Sequence, residues 1–198
     1  SGTANITHTV SAVDQRTGEN LWNKELISPN NNRSLPLQFG SILSFNSYNY
    51  QGAFSYIWTT SGSTWNAFDP FTGEYEYSMT NVPSGTQIRG PNGEILIYTY
   101  NSNGWLTLWN STKVISDAGS FLRNGQGTTY DCTWSSPRNG GYMWNVTAPK
   151  NIQGSIAAAF LDDIVIGNNL QGRTATANVL GLTGSPWQFW ALNVKTGQ

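Results

Sequence analysis

Apolar and aromatic residues along this chain gather in short runs, each closed by Gly, Asn, Asp, Pro or Ser. Runs of that composition between turn formers read as β-strands, and a helical spacing of apolar residues is nowhere convincing. The pattern predicts strands over His8–Asp14, Leu21–Leu26, Leu37–Phe45, Ala53–Thr59 and Thr64–Asp69. It continues through Tyr75–Met79, Thr86–Gly90, Ile95–Tyr100 and Trp105–Trp109. The last four are Tyr142–Thr147, Ser155–Leu161, Ile164–Ile166 and Trp187–Asn193. Asn103-Gly104 signals a two-residue hairpin, because both residues tolerate positive φ. Residues 116–140 read as an irregular segment long enough to be a functional insertion, and Asn168–Pro186 as a second long loop almost without charge.

A repeat organises these strands. Ala12-Val13-Asp14-Gln15-Arg16-Thr17-Gly18 returns as Ala67-Phe68-Asp69-Pro70-Phe71-Thr72-Gly73 and as Ala191-Leu192-Asn193-Val194-Lys195-Thr196-Gly197. In the first two copies an aromatic, Trp22 or Tyr77, follows four residues after the glycine. A weaker copy, Ser136-Pro137-Arg138-Asn139-Gly140, is followed at the same distance by Trp144. Trp105–Trp109 reads as another signature strand with a shortened turn at Asn110-Ser111-Thr112. The glycines at 18, 73, 140 and 197 are spaced 55, 67 and 57 residues apart, a step that suits one four-stranded propeller blade with generous loops. Each copy ends a strand at Asp or Asn, whose side chain can bond backbone amides two residues on, and closes with a glycine able to take positive φ.

Composition narrows the classes. Of 198 residues only 11% are charged and the net charge is −1, so there is no basic surface for nucleic acid and no charged tail. No stretch reaches the roughly 18 apolar residues of a membrane-spanning helix. The longest apolar run, Ile156–Leu161, stops at Asp162-Asp163 and reads as a buried strand. Ser1-Gly2-Thr3 leads straight into a polar strand, which predicts a processed product or an excised segment. The single cysteine, Cys132, excludes an internal disulfide and is expected to be buried.

The strand–Asp–x–x–Thr–Gly–x–x–x–Trp repeat resembles that of pyrroloquinoline-quinone-like (quinoprotein-like) β-propellers. The resemblance spans nearly the whole chain and implies an all-β fold of four-stranded antiparallel blades. It also implies three to four blades here, against the seven or eight of a full propeller, so that residues 1–198 form one incomplete propeller segment with junctions near Gly18, Gly73, Gly140 and Gly197. Such a segment is expected to belong to a longer chain or to complete itself with another copy, since open sheet edges invite pairing. For function the resemblance implies less: the family spans quinone-dependent dehydrogenases, assembly scaffolds and cell-surface proteins. Its enzymes use an aspartate base, Ca²⁺ ligands and often an adjacent cysteine pair, and Cys132 has no cysteine neighbour.

Individual residues point away from conventional catalysis. Asp14, Asp69 and Asn193 are repeat positions and read as turn caps, and Asp162-Asp163 reads as a polar turn before it reads as a metal or base site. His8 is the only histidine, and Asn124-Gly125-Gln126-Gly127 lacks the lysine of a phosphate loop. No catalytic, metal or cofactor residue is assigned, and no cofactor is expected. Four sequons, at Asn5, Asn32, Asn110 and Asn145, are glycosylation candidates, although a composition this rich in Asn, Ser and Thr supplies about four by chance. Asn32 and Asn110 fall in predicted turns. Trp22, Trp65, Trp109, Trp144 and Trp190 sit at repeat-related positions and are expected to pack between sheets. Tyr130, Trp134 and Trp187 lie in or beside the long loops and form a candidate binding surface, for sugars or protein.

Together these features predict a secreted or cell-surface interaction, adhesion or assembly module. Its expected partners are other blades, copies of itself, or glycans, with no nucleic acid and no membrane span. A fragment of a quinone-dependent dehydrogenase and a carbohydrate-binding module are the alternatives.

Overall fold

The computed structural model describes residues 7–47, 50–118, 127–135, 139–152, 154–169 and 188–198. The chain opens with β1 (Thr9–Val13), β2 (Asn20–Glu25), β3 (Ile27–Ser28) and β4 (Arg33–Ser34). It continues with β5 (Leu37–Ser47), β6 (Tyr50–Ser61), β7 (Thr64–Phe68) and β8 (Tyr75–Thr80). Next come β9 (Thr86–Arg89), β10 (Ile95–Asn101), β11 (Trp105–Asn110), the helix α1 (Ser111–Asp117) and β12 (Thr128–Asp131). A 3₁₀ turn at Asn139–Gly141 precedes β13 (Tyr142–Thr147), β14 (Ser155–Ala159), β15 (Ile164–Asn169) and β16 (Gln188–Asn193). The fold is all-β, built from several small, mostly antiparallel sheets, with one α-helix among the described residues.

Four sheets follow one another along the chain. The first is the hairpin β1–β2; the second runs β5-β6-β7-β8 with β12 added outside β8; the third is β9-β10-β11-β13; the fourth is β14-β15-β16. β3 and β4 make a separate two-stranded ribbon. Because side chains alternate across a strand, a strand sandwiched between two sheets can bury apolar residues at consecutive positions. β10 shows this directly. Ile95 and Ile97 join a cluster with Trp58, Trp65, Ala67, Tyr77 and Met79 of the second sheet. Their neighbours Leu96 and Tyr98 join Leu106, Leu108, Val165 and Leu192 on the other side, against the fourth sheet. The third sheet is therefore the filling between two others. Indoles make the joints, with Trp65 and Trp109 edge-to-face at 5.8 Å across the second and third sheets.

Three of the repeat copies fold identically. Asp14 Oδ1 accepts from the amides of Arg16 (2.7 Å) and Thr17 (3.0 Å), Asp69 Oδ1 from Phe71 (2.6 Å) and Thr72 (3.2 Å), and Asn193 Oδ1 from Lys195 (2.9 Å) and Thr196 (3.2 Å). In each, the threonine hydroxyl accepts from the residue after glycine, and the glycine sits at φ between +70° and +74°.

The fourth copy is split. Asn110 Oδ1 accepts from Thr112 and Lys113 at 2.8 and 3.3 Å, the same bonds the other Asx residues make. The chain then departs into α1, for which Asn110 is the N-cap. It rejoins the repeat at Gly140, φ +53°, two residues before Tyr142 pairs with Trp109. Gly73 stands in the same relation to the Phe68–Tyr75 pair, and Gly18 to Val13–Asn20. Asn110-Ser111-Thr112 is thus not a shortened turn, and a helix forms where apolar spacing gave no sign of one. Residues 116–140 are likewise not all irregular, since β12 runs parallel to β8. Asn103-Gly104 closes its hairpin as part of a three-residue loop between Asn101 and Trp105, with only Gly104 at positive φ.

Candidate interaction surfaces

Consecutive sheets meet at the Thr-Gly turns. Trp22 of β2 donates its indole N–H to the Pro70 carbonyl at 3.0 Å, and its ring and the Lys24 stem lie 3.2 Å from where a Cβ on Gly73 would be. Lys24 also pairs with Glu74, the residue after that glycine, on the half-exposed rim. At Gly140 the close neighbours are the backbone atoms of Cys132 and Thr133, and at Gly197 those of Thr147 together with Val146. In each case the outer strand of one sheet, or at Gly140 the two residues just after it, lies over the glycine turn of the next. Gly18 is the exception, with nothing within 4 Å.

The candidate aromatic surface does not form as a unit. Tyr130 is 5% exposed and packs edge-to-face on Tyr77 at 5.5 Å, because β12 is drawn into the second sheet and carries it into the core. It is a core residue, not part of a binding surface. Trp134 is 44% exposed and stands edge-on to Tyr142 at 4.9 Å. Trp187 lies outside the described residues. The repeat-related tryptophans pack as expected: Trp109 is fully buried and donates to the Gly140 carbonyl at 2.9 Å, while Trp144 and Trp190 flank Tyr98 and Tyr100.

Of the sequons, Asn5 lies outside the described residues. Asn32 is exposed in the turn between β3 and β4 at φ +51°, and Asn145 is exposed on β13. Asn110 is half-buried, with Nδ2 against the Met143 sulfur at 3.5 Å. Cys132 is buried as expected, and burial, followed by the Asp131 charge, pushes its thiol up to about 12. Asp162-Asp163 forms the turn between β14 and β15, with Asp162 at φ +57° and its amide 3.4 Å from the Tyr98 hydroxyl. His8 brackets Ser34, its amide donating to Ser34 Oγ at 2.8 Å and its carbonyl accepting from it at 3.0 Å.

Clefts supply the residues that strand patterning missed. One of about 400 Å³ is lined by Phe54, Tyr56, Asp69, Phe71 and Glu76. Phe71 is 75% exposed, and burial, then the Asp69 charge, raises the Glu76 carboxyl above its ordinary range. A second, of about 410 Å³, lies between the third and fourth sheets beside Tyr98, Tyr100 and Ser155. A third, of about 420 Å³, is bordered by Tyr56, Ile57, Pro70 and Arg89, and the Arg89 guanidinium stacks 5.6 Å from the Phe39 ring. Phe71 and Glu76 had a signal in the sequence: they stand where the other full copies carry Arg16 or Lys195, and Leu21. Departure from the repeat marked them.

Comparison with protein-family models, with curated proteins and with solved structures finds no match.

Proposed function

We propose that this chain is a non-catalytic, extracellular segment of a β-propeller-type fold that acts as an interaction, adhesion or assembly module. The observation that carries the reading is the repeated joint between sheets, in which an outer strand covers the next Thr-Gly turn. A repeat that buries itself only against its neighbours makes a scaffold extended by adding sheets. The likeness of the repeat to quinoprotein-like propellers supports the same architecture, with sheets two and three as blades. Titration with pyrroloquinoline quinone and Ca²⁺ tests the non-catalytic part. Tryptophan fluorescence and dye reduction are expected to stay unchanged, and a saturable response in either would make the chain part of a dehydrogenase.

The exposed rings favour a second reading, a carbohydrate-binding module. Trp134 is partly exposed beside Tyr142, and Phe71 borders a cleft that also carries Asp69 and Glu76. Planar rings stack on sugar faces while carboxylates accept from sugar hydroxyls. A glycan array with the native chain and with Trp134→Ala and Phe71→Ala decides it: binding lost in either variant supports the reading, and an array without signal ends it. Intact mass of the native protein reports whether Asn32, Asn110 and Asn145 carry glycans.

A further inference from the structure

Strands β5 and β6 outrun the sheet they belong to. β6 pairs with β7 only from Ile57 opposite Phe68 to Ser61 opposite Thr64, whereas it pairs with β5 as far as Tyr50 opposite Ser47. β7 stops because Asp69 turns the chain: its carboxylate accepts from the amides of Phe71 and Thr72, and its carbonyl from that of Gly73. The β5–β6 hairpin therefore runs on past the Thr-Gly turn, and β6 leaves the side that β7 occupied.

Register identifies the groups facing that side. The Ile42 amide points away from β6, to the Gly93 carbonyl at 3.3 Å, so Ile42 and Ser55, directly opposite, form a pair that exchanges no hydrogen bonds. The N–H and C=O of Ser55 consequently point to the β7 side, and by the two-residue period those of Ala53 do too. Both residues are small and exposed, and among the described residues nothing bonds their main chain on that side. No proline, charge or bulge, the devices that blunt an open edge, interrupts β6 over this stretch.

Ala53 and Ser55 line the cleft of about 400 Å³ that Asp69, Phe71 and Glu76 border. Its charge is all of one sign. Lys24–Glu74 is the only ion pair among the described residues, so neither Asp69 nor Glu76 is paired with a basic side chain. Burial, then the Asp69 charge, already raises the Glu76 carboxyl, and a cation set between the two relieves that repulsion.

We propose that this notch takes an extended, lysine- or arginine-bearing segment of a partner protein as an added strand beside β6, its main chain bonded to Ala53 and Ser55 and its basic side chains set against Asp69 and Glu76. The proposal rests on the interaction-module reading above and names the partner's chemistry. In antiparallel register three residues of the guest suffice to bond both edge residues. The exposed Phe71 ring adds an apolar or cation–π contact, and the two carboxylates turn acidic strands away.

Calorimetric titration of the full chain with the capped pentapeptide Val-Lys-Val-Lys-Val tests it. One control carries Glu in place of Lys, and a second is the lysine peptide N-methylated at its three central residues, which keeps the charge and loses the strand's donors. The lysine peptide is expected to bind saturably, at least about tenfold more tightly than either control, and to slow amide hydrogen exchange at Ala53 and Ser55. Asp69→Asn combined with Glu76→Gln should weaken binding by a similar factor with the turn kept, since Asn193 caps the equivalent turn through the same bonds. Absence of binding at millimolar lysine peptide overturns the proposal, as does binding that survives N-methylation or leaves exchange at Ala53 and Ser55 unchanged. A glycan-array signal lost in Phe71→Ala beside a silent peptide titration gives the cleft to sugars instead. If the peptide and quinone titrations are both silent, this site is lost and the interaction-module reading stands.

Discussion

Trp22 lies over Gly73 across two sheets, its indole ring 3.2 Å from the position a Cβ on Gly73 would take. The same indole is tied to the Pro70 carbonyl at 3.0 Å, so ring and turn are held together by one hydrogen bond and one close approach. Glycine suits that position twice: it takes φ +70° without strain, and it leaves the indole and the Lys24 stem where they are, whereas a Cβ would have to push them back by a few tenths of an ångström.

Conformation and room together grade the turn glycines. Gly18→Ala meets open space and adds only the cost of a left-handed alanine, about 1–2 kcal/mol. Gly73→Ala adds displacement of Trp22 and the Lys24 stem, and Gly197→Ala would drive a methyl into the Thr147 carbonyl, a loss well above about 2 kcal/mol. Urea unfolding of the three variants should rank them in that order; equal losses would mean that the turns are not docking sites.

Phe68 and Val13 hold the same turn position with opposite environments, 2% and 51% exposed. Phe68→Ala should cost about 3–5 kcal/mol, as a buried ring packed on Tyr75 is removed. Val13→Ala should stay within about 0.5 kcal/mol. Thermal denaturation separates the two.

Asn110 serves as both Asx residue and helix cap, accepting two amides through Oδ1. Asn110→Ala should lose about 1 kcal/mol, whereas Asn110→Asp keeps the acceptor and most of the stability. Both remove the sequon. Chemical denaturation compared with intact mass distinguishes a structural asparagine from a glycosylated one.

Cys132 should resist thiol reagents in the folded chain at mildly alkaline pH and react once the chain is unfolded. Its folded pKa of about 12 exceeds the ordinary 9.0, so burial of the neutral thiol stabilises the fold fully below pH 9. That contribution is lost as pH rises from 9 toward 12. A dithionitrobenzoate time course with and without denaturant reads the reactivity directly.

Asp131 titrates below the ordinary 3.8 because the Asn81 amide and the Thr133 hydroxyl bond its carboxylate. The sign is opposite to that of Cys132: its contribution is present above the ordinary value and fades as pH falls through the folded one. Carbon-detected NMR titration should show an early midpoint that moves up in Asn81→Ala.

The chain announces its turns and strands because the forces behind them act over a few residues. Asp14, Asp69 and Asn193 bond amides two and three positions on, so their loops are written locally and form alike wherever the letters recur. Alternation likewise places Ile95 and Leu96 on opposite faces before any partner is known. What those faces meet is decided elsewhere. Tyr130 reads as a loop aromatic and becomes core only because β12 finds an edge some fifty residues away at β8. Asn110 and Gly140 look like separate weak motifs and become one split turn only when β13 pairs with β11. Val13 and Phe68 are equivalent in the repeat, yet one is exposed and the other buried, because burial depends on which sheet arrives to cover it. Backbone conformation is a short-range property and was legible; the choice of partner is a long-range competition among sheet edges and faces, and only the packed fold resolves it.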